Sequence, residues 1–336
     1  MSNQSGTIRD TSRKEKYQQH LAVVHETAAQ YWEQAASQAG DAFNAIEIIK
    51  YTGGKMAGFF PAYAGFPPVF FKVYFYERGF QFEVEGLTAA NAMPPVPGMR
   101  VPVVVIIFPE KKAVLTEMHI WEDTTSPLKR FFVQSLNIDW RRIGFWLRNF
   151  HDSKVSHTRN DYFLRKKFEK TASHMESLKP LFTVEQYRKM DIIIETAREH
   201  FSTQPCEWVI SHGDFGLDNI KKSGDSLDIV DFEDCQMAPR EFDQINFLSR
   251  LEYSGYFPHR QENYRKICRE FLDGYGLELP VTPTYNFFYL LIKLDMLESY
   301  HRRRKGKSSG FLNQARYSYF EYLGKNRLNF FLEGVG

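Results

Sequence analysis

The sequence predicts an α+β chain in which a small β-rich lobe precedes a larger, mostly helical one. Three observations predict it. Segments rich in β-branched and aromatic residues crowd between Phe43 and Met118. Helical periodicity dominates beyond Pro127. Amid those helices a single stretch, "VISHGDFGLDNIKKSGDSLDIVDFEDC" from Val209 to Cys235, reverts to short apolar runs with acids at their ends. At 336 residues the chain is long enough for two lobes and a substantial core.

Residues 11–37 place Tyr17, Leu21, Val24, Ala28, Tyr31 and Ala35 at three- and four-residue steps. That is one face of a helix, ended by Gly40 and expected to pack on the small lobe. Strands are expected over "FNAIEIIKY", "PVFFKVYFY", "RVPVVVIIF" and "KAVLTEMH", separated by turn residues such as Gly53-Gly54 and Pro94-Pro95. A helix over about 80–92 interrupts them. The Pro- and aromatic-rich "FPAYAGFPPV" reads as a wide surface turn or a hairpin tip. Later helices are expected at about 128–151, 159–176, 183–201, 240–253, 260–275, 283–303 and 310–333. The exception is Trp208–Ile210, Asn219–Lys222 and Leu227–Val230, three short strands, the last two joined by a turn at Ser223-Gly224-Asp225-Ser226. The expected domains are a helical extension over 1–42, a small lobe over 43–118 and a large lobe over 119–336.

The formal net charge of +2 gives no field that favours nucleic acid, and no obligate protein partner is evident. Cys206, Cys235 and Cys268 are widely spaced without a CxxC pair, which argues against a disulfide scaffold or structural zinc. The first twenty residues carry no apolar signal-peptide core. The longest apolar run, Val101 to Phe108, contains Pro102 and is too short for membrane insertion. A cytoplasmic protein is expected. Thirty phenylalanines read as a Phe-rich core rather than an apolar substrate groove.

The acid-rich stretch carries the chemistry. "HGDFGLDN" is H-x-D-x-x-x-x-N, with His212, Asp214 and Asn219. Phosphoryl transfer to a hydroxyl needs a carboxylate to orient the nucleophile and take its proton, and hard oxygen ligands for Mg²⁺. An aspartate five residues before an asparagine offers both. Asp231, twelve residues after Asn219 and just past the returning hairpin strand, offers a second metal ligand. His212 reads as a packing and hydrogen-bonding support of the loop rather than as a base.

"ISHGDFGLDNI" followed by "IVDFEDC" and "EFDQINFL" resembles the aminoglycoside phosphotransferase and choline kinase-like family, the small-molecule branch of the bilobal protein-kinase-like fold. The resemblance implies Asp214 as catalytic base, Asn219 and Asp231 as Mg²⁺ ligands and Asp243 as a loop-bracing acid at a helix start. "FWLRNFH" with Gly144 resembles the family helix ending in Leu-x-x-x-His, here Leu147 and His151. In the small lobe, "VFFKVYF" offers Lys72 for the nucleotide phosphates and "FEVEGL" offers Glu83 as its partner, chosen over Glu85 because Leu87 follows four residues later. "LTEMH" resembles the inter-lobe linker, where the backbone of Glu117 and His119 would hold an adenine. The similarity spans about residues 45–300. It departs from the pattern at the phosphate-covering loop, where "YTGGKMAGFF" has Gly53, Gly54 and Gly58 but no G-x-G-x-x-G.

The expectation is therefore an ATP- or GTP-dependent, Mg²⁺-dependent phosphotransferase acting on the hydroxyl of a small molecule. An inactive nucleotide-binding pseudokinase or scaffold is the alternative. A metal-dependent hydrolase is disfavoured by the single histidine in the cluster. A protein kinase is disfavoured because only eleven residues separate Asp231 from Asp243. Glu233 and Asp234 read as supporting acids or as contacts for a cationic acceptor, together with Asp273, Asp295 and Glu298 on later helices. "HRRRKGK" from His301 reads as a solvated helix end.

Overall fold

A computed structural model describes residues 4–32, 46–52, 54–62, 67–118, 138–252, 261–276, 279–305 and 311–334. The chain divides into two units, Met1–Asp123 with Lys221–Cys235, and Thr124–Ile220 with Gln236–Gly336. The first is β-rich and the second mostly helical, so the α+β class expected from the sequence is the one observed.

The first unit opens with α1 (Gln4–Tyr31), followed by β1 (Glu47–Tyr51), β2 (Lys55–Phe60) and β3 (Val69–Tyr74). After α2 (Glu77–Ala92) come β4 (Met99–Arg100), β5 (Val104–Phe108) and β6 (Ala113–Glu117). Five strands form one antiparallel sheet in the order β1-β2-β3-β6-β5. The two-residue period of a strand sorts its side chains. Val69, Phe71 and Val73 face one way and join Met56, Phe60, Ala113 and Leu115 against Val24, Ala28, Tyr31 and Trp32 at the end of α1. The N-terminal helix thus packs on the sheet. Lys72, on the alternate register, faces the other side, and so do its cross-strand partners Ala57 and Val114.

The helix α2 buries Phe80, Glu83, Gly86, Leu87 and Ala90, the three- and four-residue steps of one face. Gly86 is required there: an added Cβ would fall 2.7 Å from Cβ of Phe232 and 2.9 Å from Cβ of Cys235.

The second unit begins with α3 (Trp140–Asp152), β7 (Val155–Ser156), α4 (Asp161–Leu178), α5 (Val184–Thr203) and β8 (Trp208–Ser211). Caps fix three of the helix starts. Asp139 accepts from Arg142 N–H, Asn160 from Phe163 N–H, and Thr183 with Gln186 forms a capping box. The chain then runs through the hairpin β9 (Ile220–Ser223) and β10 (Ser226–Ile229), and β10 pairs in parallel with β4. Asp228 on β10 is fully buried and bonded by Arg100 at 2.8 and 3.3 Å, a structural pair.

The second unit resumes with β11 (Gln236–Pro239), α6 (Glu241–Glu252), α7 (Gln261–Tyr275), α8 (Pro283–Lys305) and α9 (Phe311–Gly334). The strands β11, β8 and β7 form a small antiparallel sheet. Helices α4, α5, α6 and α8 share a core that includes Phe163, Phe168, Ile193, Phe201, Phe242 and Phe288. These phenylalanines are core residues, whereas Phe145 and Phe330 are exposed.

Several elements differ from the sequence reading. Residues 55–60 form a strand rather than a covering loop. Gly58 reads as a loop residue, yet its lack of a side chain admits β1: a Cβ there would lie 1.9 Å from the Glu47 carbonyl oxygen. The strand β11 was not expected, since Pro239 lacks a ladder donor; Pro239 sits at its last position. Gly40, Gly53 and residues 128–137 of the helix expected over 128–151 lie outside the described residues, as do Gly306 and Lys307. Arg302 to Lys305 are exposed, whereas His301 is buried and bonded to Glu321 at 3.2 Å. Among the described residues no helix is long and apolar enough to cross a membrane.

Candidate active site

Of the residues expected to bind nucleotide and metal, Lys72, Glu83, Glu117 and Asp231 fall in the first unit, as does Glu233. His119 lies outside the described residues. The ammonium of Lys72 donates to Glu83 Oε1 at 2.6 Å and to Asp231 Oδ1 at 2.9 Å. Residues distant in sequence thus meet at one buried point, Lys72 being 9% and Glu83 3% exposed. Burial alone would lower the Lys72 pKa, but the charges of Asp231 and Glu83 outweigh it and raise the value. The reverse holds for Asp231: burial would raise its pKa, and Lys72 and Lys55 hold it well below the usual carboxylate range.

Asp231 has φ of 71°, the left-handed region that a side chain disfavours. Such strain persists only where the surrounding contacts over-determine the residue, here the ammonium groups of Lys72 and Lys55. Beside this cluster a cavity of about 20 Å³ is lined by Lys72, Glu83, Asp231, Phe70, Val114 and Val230. It is about the size of one water. The buried Glu83 Oε2 lacks a hydrogen bond. Glu117 ends β6 and its N–H donates to the Val103 carbonyl at 3.0 Å.

Asp214, Asn219, His212 and Asp243 fall in the second unit. Asn219 closes a 3-10 turn, Leu217–Asn219, and its Nδ2 donates to Asp214 O at 2.9 Å and Asp214 Oδ2 at 3.2 Å. The amide nitrogen is thus used within the loop, and the carboxamide oxygen points away from it. Below the loop Trp146, Phe215 and Phe247 stack as a hydrophobic floor, with ring centroids 6.0 and 5.5 Å apart. Asp243, fully buried at the start of α6, accepts from His212 N–H at 2.7 Å, Gly213 N–H at 3.0 Å and His151 Nε2 at 3.1 Å. His151 Nδ1 in turn meets the Tyr275 hydroxyl at 2.7 Å. Burial would raise the Asp243 pKa, but the His151 hydrogen bond and the nearby imidazoles bring it below its usual value. His212 is itself fully buried, with its ring 5.7 Å from that of Phe215.

Two cations escaped the sequence reading. Arg250 Nη2 donates to Asp214 Oδ1 at 2.5 Å. Lys55 donates to Asp231 Oδ1 at 2.8 Å and lies 2.5 Å from Glu233 Oε2. Burial and the Asp231 charge push the Glu233 carboxyl up. Arg250 comes one helix later in the chain than the loop it holds, and no motif marks it.

Each unit offers a hard oxygen of its own: the Asp231 carboxylate in the first and the Asn219 carboxamide oxygen in the second. Among the described residues no three His, Cys, Asp or Glu side chains gather as an all-protein metal set. A lone carboxylate such as Asp231 has the chemistry Mg²⁺ takes, since that ion is bound through one or two carboxylates together with substrate phosphates.

The second unit also holds a cavity of about 530 Å³ lined by residues that include Glu252, Tyr285, Tyr289, Arg327 and Phe331. The acids expected to attract a cationic acceptor are paired elsewhere. Asp273 bonds Arg141 at 3.1 Å, Asp295 meets Lys170 at 2.8 Å and His174 at 3.1 Å, and Glu298 lies 2.9 Å from Arg302.

The fold is protein-kinase-like. No protein-family model matches the sequence, and no curated protein matches it. Solved structures do. A choline/ethanolamine kinase family protein from Mesorhizobium loti is similar at TM-score 0.56 and 12% identity, over 92% of this chain and 95% of that one. An aminoglycoside phosphotransferase solved with GDP and kanamycin is similar at TM-score 0.54 and 12% identity, over 90% and 99%. Amicoumacin kinase, solved with AMP-PNP and Ca²⁺, is similar at TM-score 0.54 and 12% identity, over 90% and 96%. The chain shares the fold of choline kinase-like proteins and aminoglycoside phosphotransferases.

Proposed function

We propose that this chain is a phosphotransferase that moves the terminal phosphoryl group of Mg²⁺-ATP or Mg²⁺-GTP to the hydroxyl of a small molecule. The observation that carries the reading is the buried Lys72–Glu83–Asp231 cluster, with ammonium-to-oxygen distances of 2.6 and 2.9 Å. Lys72, aimed by Glu83, binds phosphate oxygens. Asp231 and Asn219 are the cation ligands, and a bound Mg²⁺ supplies charge neutralisation of the phosphates. Asp214 orients the acceptor hydroxyl and takes its proton as the acceptor oxygen bonds the terminal phosphorus and the bond to the nucleoside diphosphate breaks. Arg250 holds Asp214 from one side and Asn219 from the other, so the base is aimed before substrate arrives. Asp243 fixes the backbone of residues 212 and 213, next to that base.

The acceptor is small. A cavity of about 530 Å³ suits a metabolite-sized ligand. Its Glu252 carboxylate is held by Lys293, by the Tyr289 hydroxyl at 3.1 Å and by Arg327 at 3.6 Å.

The test has two stages. At millimolar Mg²⁺-ATP or Mg²⁺-GTP the melting temperature should rise; ligand at about 100 times its dissociation constant adds about 2.7 kcal/mol. Asp231→Ala should abolish that metal-dependent shift, while Asp214→Asn should keep it and lose turnover in a panel of hydroxylated metabolites read by nucleoside diphosphate release. No shift with either nucleotide sinks the reading. A shift without turnover on any acceptor favours the inactive nucleotide-binding alternative.

A further inference from the structure

The side chain of Lys55 is 5% exposed, although it opens a strand next to Gly54, where a solvated lysine would be ordinary. Backbone geometry explains where it points. In an antiparallel pair, opposed residues share a face, and so do residues two apart on one strand. Ala57 opposes Lys72, so Lys55 lies on the Lys72 face, one residue pair nearer the turn, opposite Tyr74. Its ammonium lies 6.0 Å from the centroid of the Tyr74 ring. The turn itself is drawn tight. Thr52 N–H donates to the Lys55 carbonyl at 2.9 Å, and Thr52 Oγ1 accepts from Gly54 N–H at 3.2 Å and Lys55 N–H at 3.1 Å.

Lys55 shares a single oxygen with Lys72. Both ammonium groups contact Asp231 Oδ1, at 2.8 and 2.9 Å, and Lys50 Nζ lies 4.0 Å from Oδ2 of the same carboxylate. Lys72 answers both Glu83 and Asp231, so with Lys55 two ammonium groups serve the three carboxylates Glu83, Asp231 and Glu233. A second buried ammonium carries a desolvation cost that its position has to offset. The free protein offsets it with Asp231 and with Glu233 at 2.5 Å. Of these, Asp231 is the carboxylate that a divalent cation would claim. A cation arriving with a nucleotide therefore displaces Lys55 from Asp231 and supplies, in the phosphates, new anions within reach of a flexible four-carbon stem.

We infer that Lys55 is a second phosphate-binding lysine, acting on the phosphates beyond the first, and that Asp231 and Glu233 hold it in place until nucleotide binds. The inference rests on the nucleotide reading of Lys72 and Asp231 given above. The two ammonium groups already converge on one oxygen, so both could reach one chain of phosphates.

The experiment compares wild type with Lys55→Met, whose apolar stem keeps the contact with Tyr74, and with Lys55→Gln should the first fail to fold. Dissociation constants for ATP, ADP and AMP (or the guanine series, whichever wild type binds) are measured by calorimetry with Mg²⁺. Affinity for the triphosphate should fall by about tenfold or more, the loss of a charge-assisted contact, and AMP affinity by less than about threefold. A second readout needs no nucleotide. Mn²⁺ binding, followed by electron paramagnetic resonance, should tighten in the variant because a competing internal cation is gone. Equal losses for AMP and ATP, or none for either, overturn the inference while leaving the nucleotide reading intact. If wild type binds no nucleotide, both fall together.

Discussion

Replacing Asp243 by asparagine takes one charge and one acceptor from a carboxylate that serves His212 N–H, Gly213 N–H and His151, with the Ser211 hydroxyl beside them. Oδ2 accepts from His212 N–H at 2.7 Å and His151 Nε2 at 3.1 Å, and Oδ1 from Gly213 N–H at 3.0 Å. A carboxamide keeps one acceptor oxygen. Turned to retain the Oδ2 pair, it sets its NH₂ against the Gly213 N–H and leaves a buried donor unpaired, at a cost of about 1–3 kcal/mol. The two retained bonds change from charge-assisted to neutral, about 1 kcal/mol each. The total is about 3–5 kcal/mol, a large part of the roughly 5–15 kcal/mol that stabilises a domain. At about 2–4 °C per kcal/mol for a unit of this size, the melting temperature at pH 7 should fall by about 6–20 °C. Asp273→Asn is the control, since its carboxylate is 57% exposed beside Arg141 and should matter by less than about 0.5 kcal/mol.

The pH dependence carries a sign. The folded pKa of Asp243 is lowered, so its contribution is complete above the unfolded value of about 3.9 and is lost as pH falls through the folded value. The gap between wild type and Asp243→Asn should hold from pH 7 to about 5 and narrow below about 4. Differential scanning calorimetry reads both effects. A variant melting within about 2 °C of wild type at pH 7, or a gap that widens on acidification, refutes the claim that this carboxylate anchors the loop.

Two further outcomes follow from packing and register. Glu83→Gln should lower kcat/KM by about tenfold or more, since it removes the buried anion 2.6 Å from Lys72, whereas Glu85→Gln, two residues on and facing elsewhere on the helix, should change it by less than about twofold; the opposite ranking, read by nucleoside diphosphate release, would reject the register. Gly144→Ala puts a methyl 2.0 Å from the Phe271 carbonyl oxygen, a backbone atom that cannot swing aside. It should force α3 from α7 and destabilise by about 1–3 kcal/mol or more in chemical denaturation, and an unchanged midpoint would show that the crossing relaxes freely.

The sequence made some regions of this molecule legible and hid others for physical reasons. Strand alternation announced β3, and with it the face on which Lys72 stands, because apolar neighbours on both sides mark a strand packed on a core. The hairpin between Asn219 and Asp231 was readable because its turn residues and apolar runs are local. Lys55 was not, since its partner Asp231 lies 176 residues away and the flanking glycines suggest a loop. Gly58 deepened the error: the glycine that made the segment look irregular is what lets β1 approach it. Arg250 and Tyr275 were hidden in the same way, their partners Asp214 and His151 lying 36 and 124 residues off. The acids on the later helices were visible as charges, but the cations that neutralise Asp273 and Asp295 lie on α3 and α4, far earlier in the chain.

The two buried aspartates at the centre of the proposal are held by opposite means, and the difference matches what each would have to do. Asp243 is held by two backbone N–H groups and an imidazole, donors fixed by a strand end, a loop and a helix. None can leave without unfolding its element, so this charge is a permanent anchor, and residues 212 and 213 are pinned next to Asp214. Asp231 is held by side-chain ammonium groups on long stems, with two of them on one oxygen. Such donors can rotate onto other anions while the strands that carry them stay in place. An aspartate that must stay charged while buried, yet exchange its partners for a metal ion, needs cations of this movable kind. The left-handed backbone at Asp231 keeps the carboxylate aimed through that exchange, because the strain, which costs about 1–3 kcal/mol, persists only where its neighbours over-determine it. Gly86 lets α2 come close to residues 232 and 235, so the same helix that carries Glu83 to Lys72 also buttresses the segment just after Asp231.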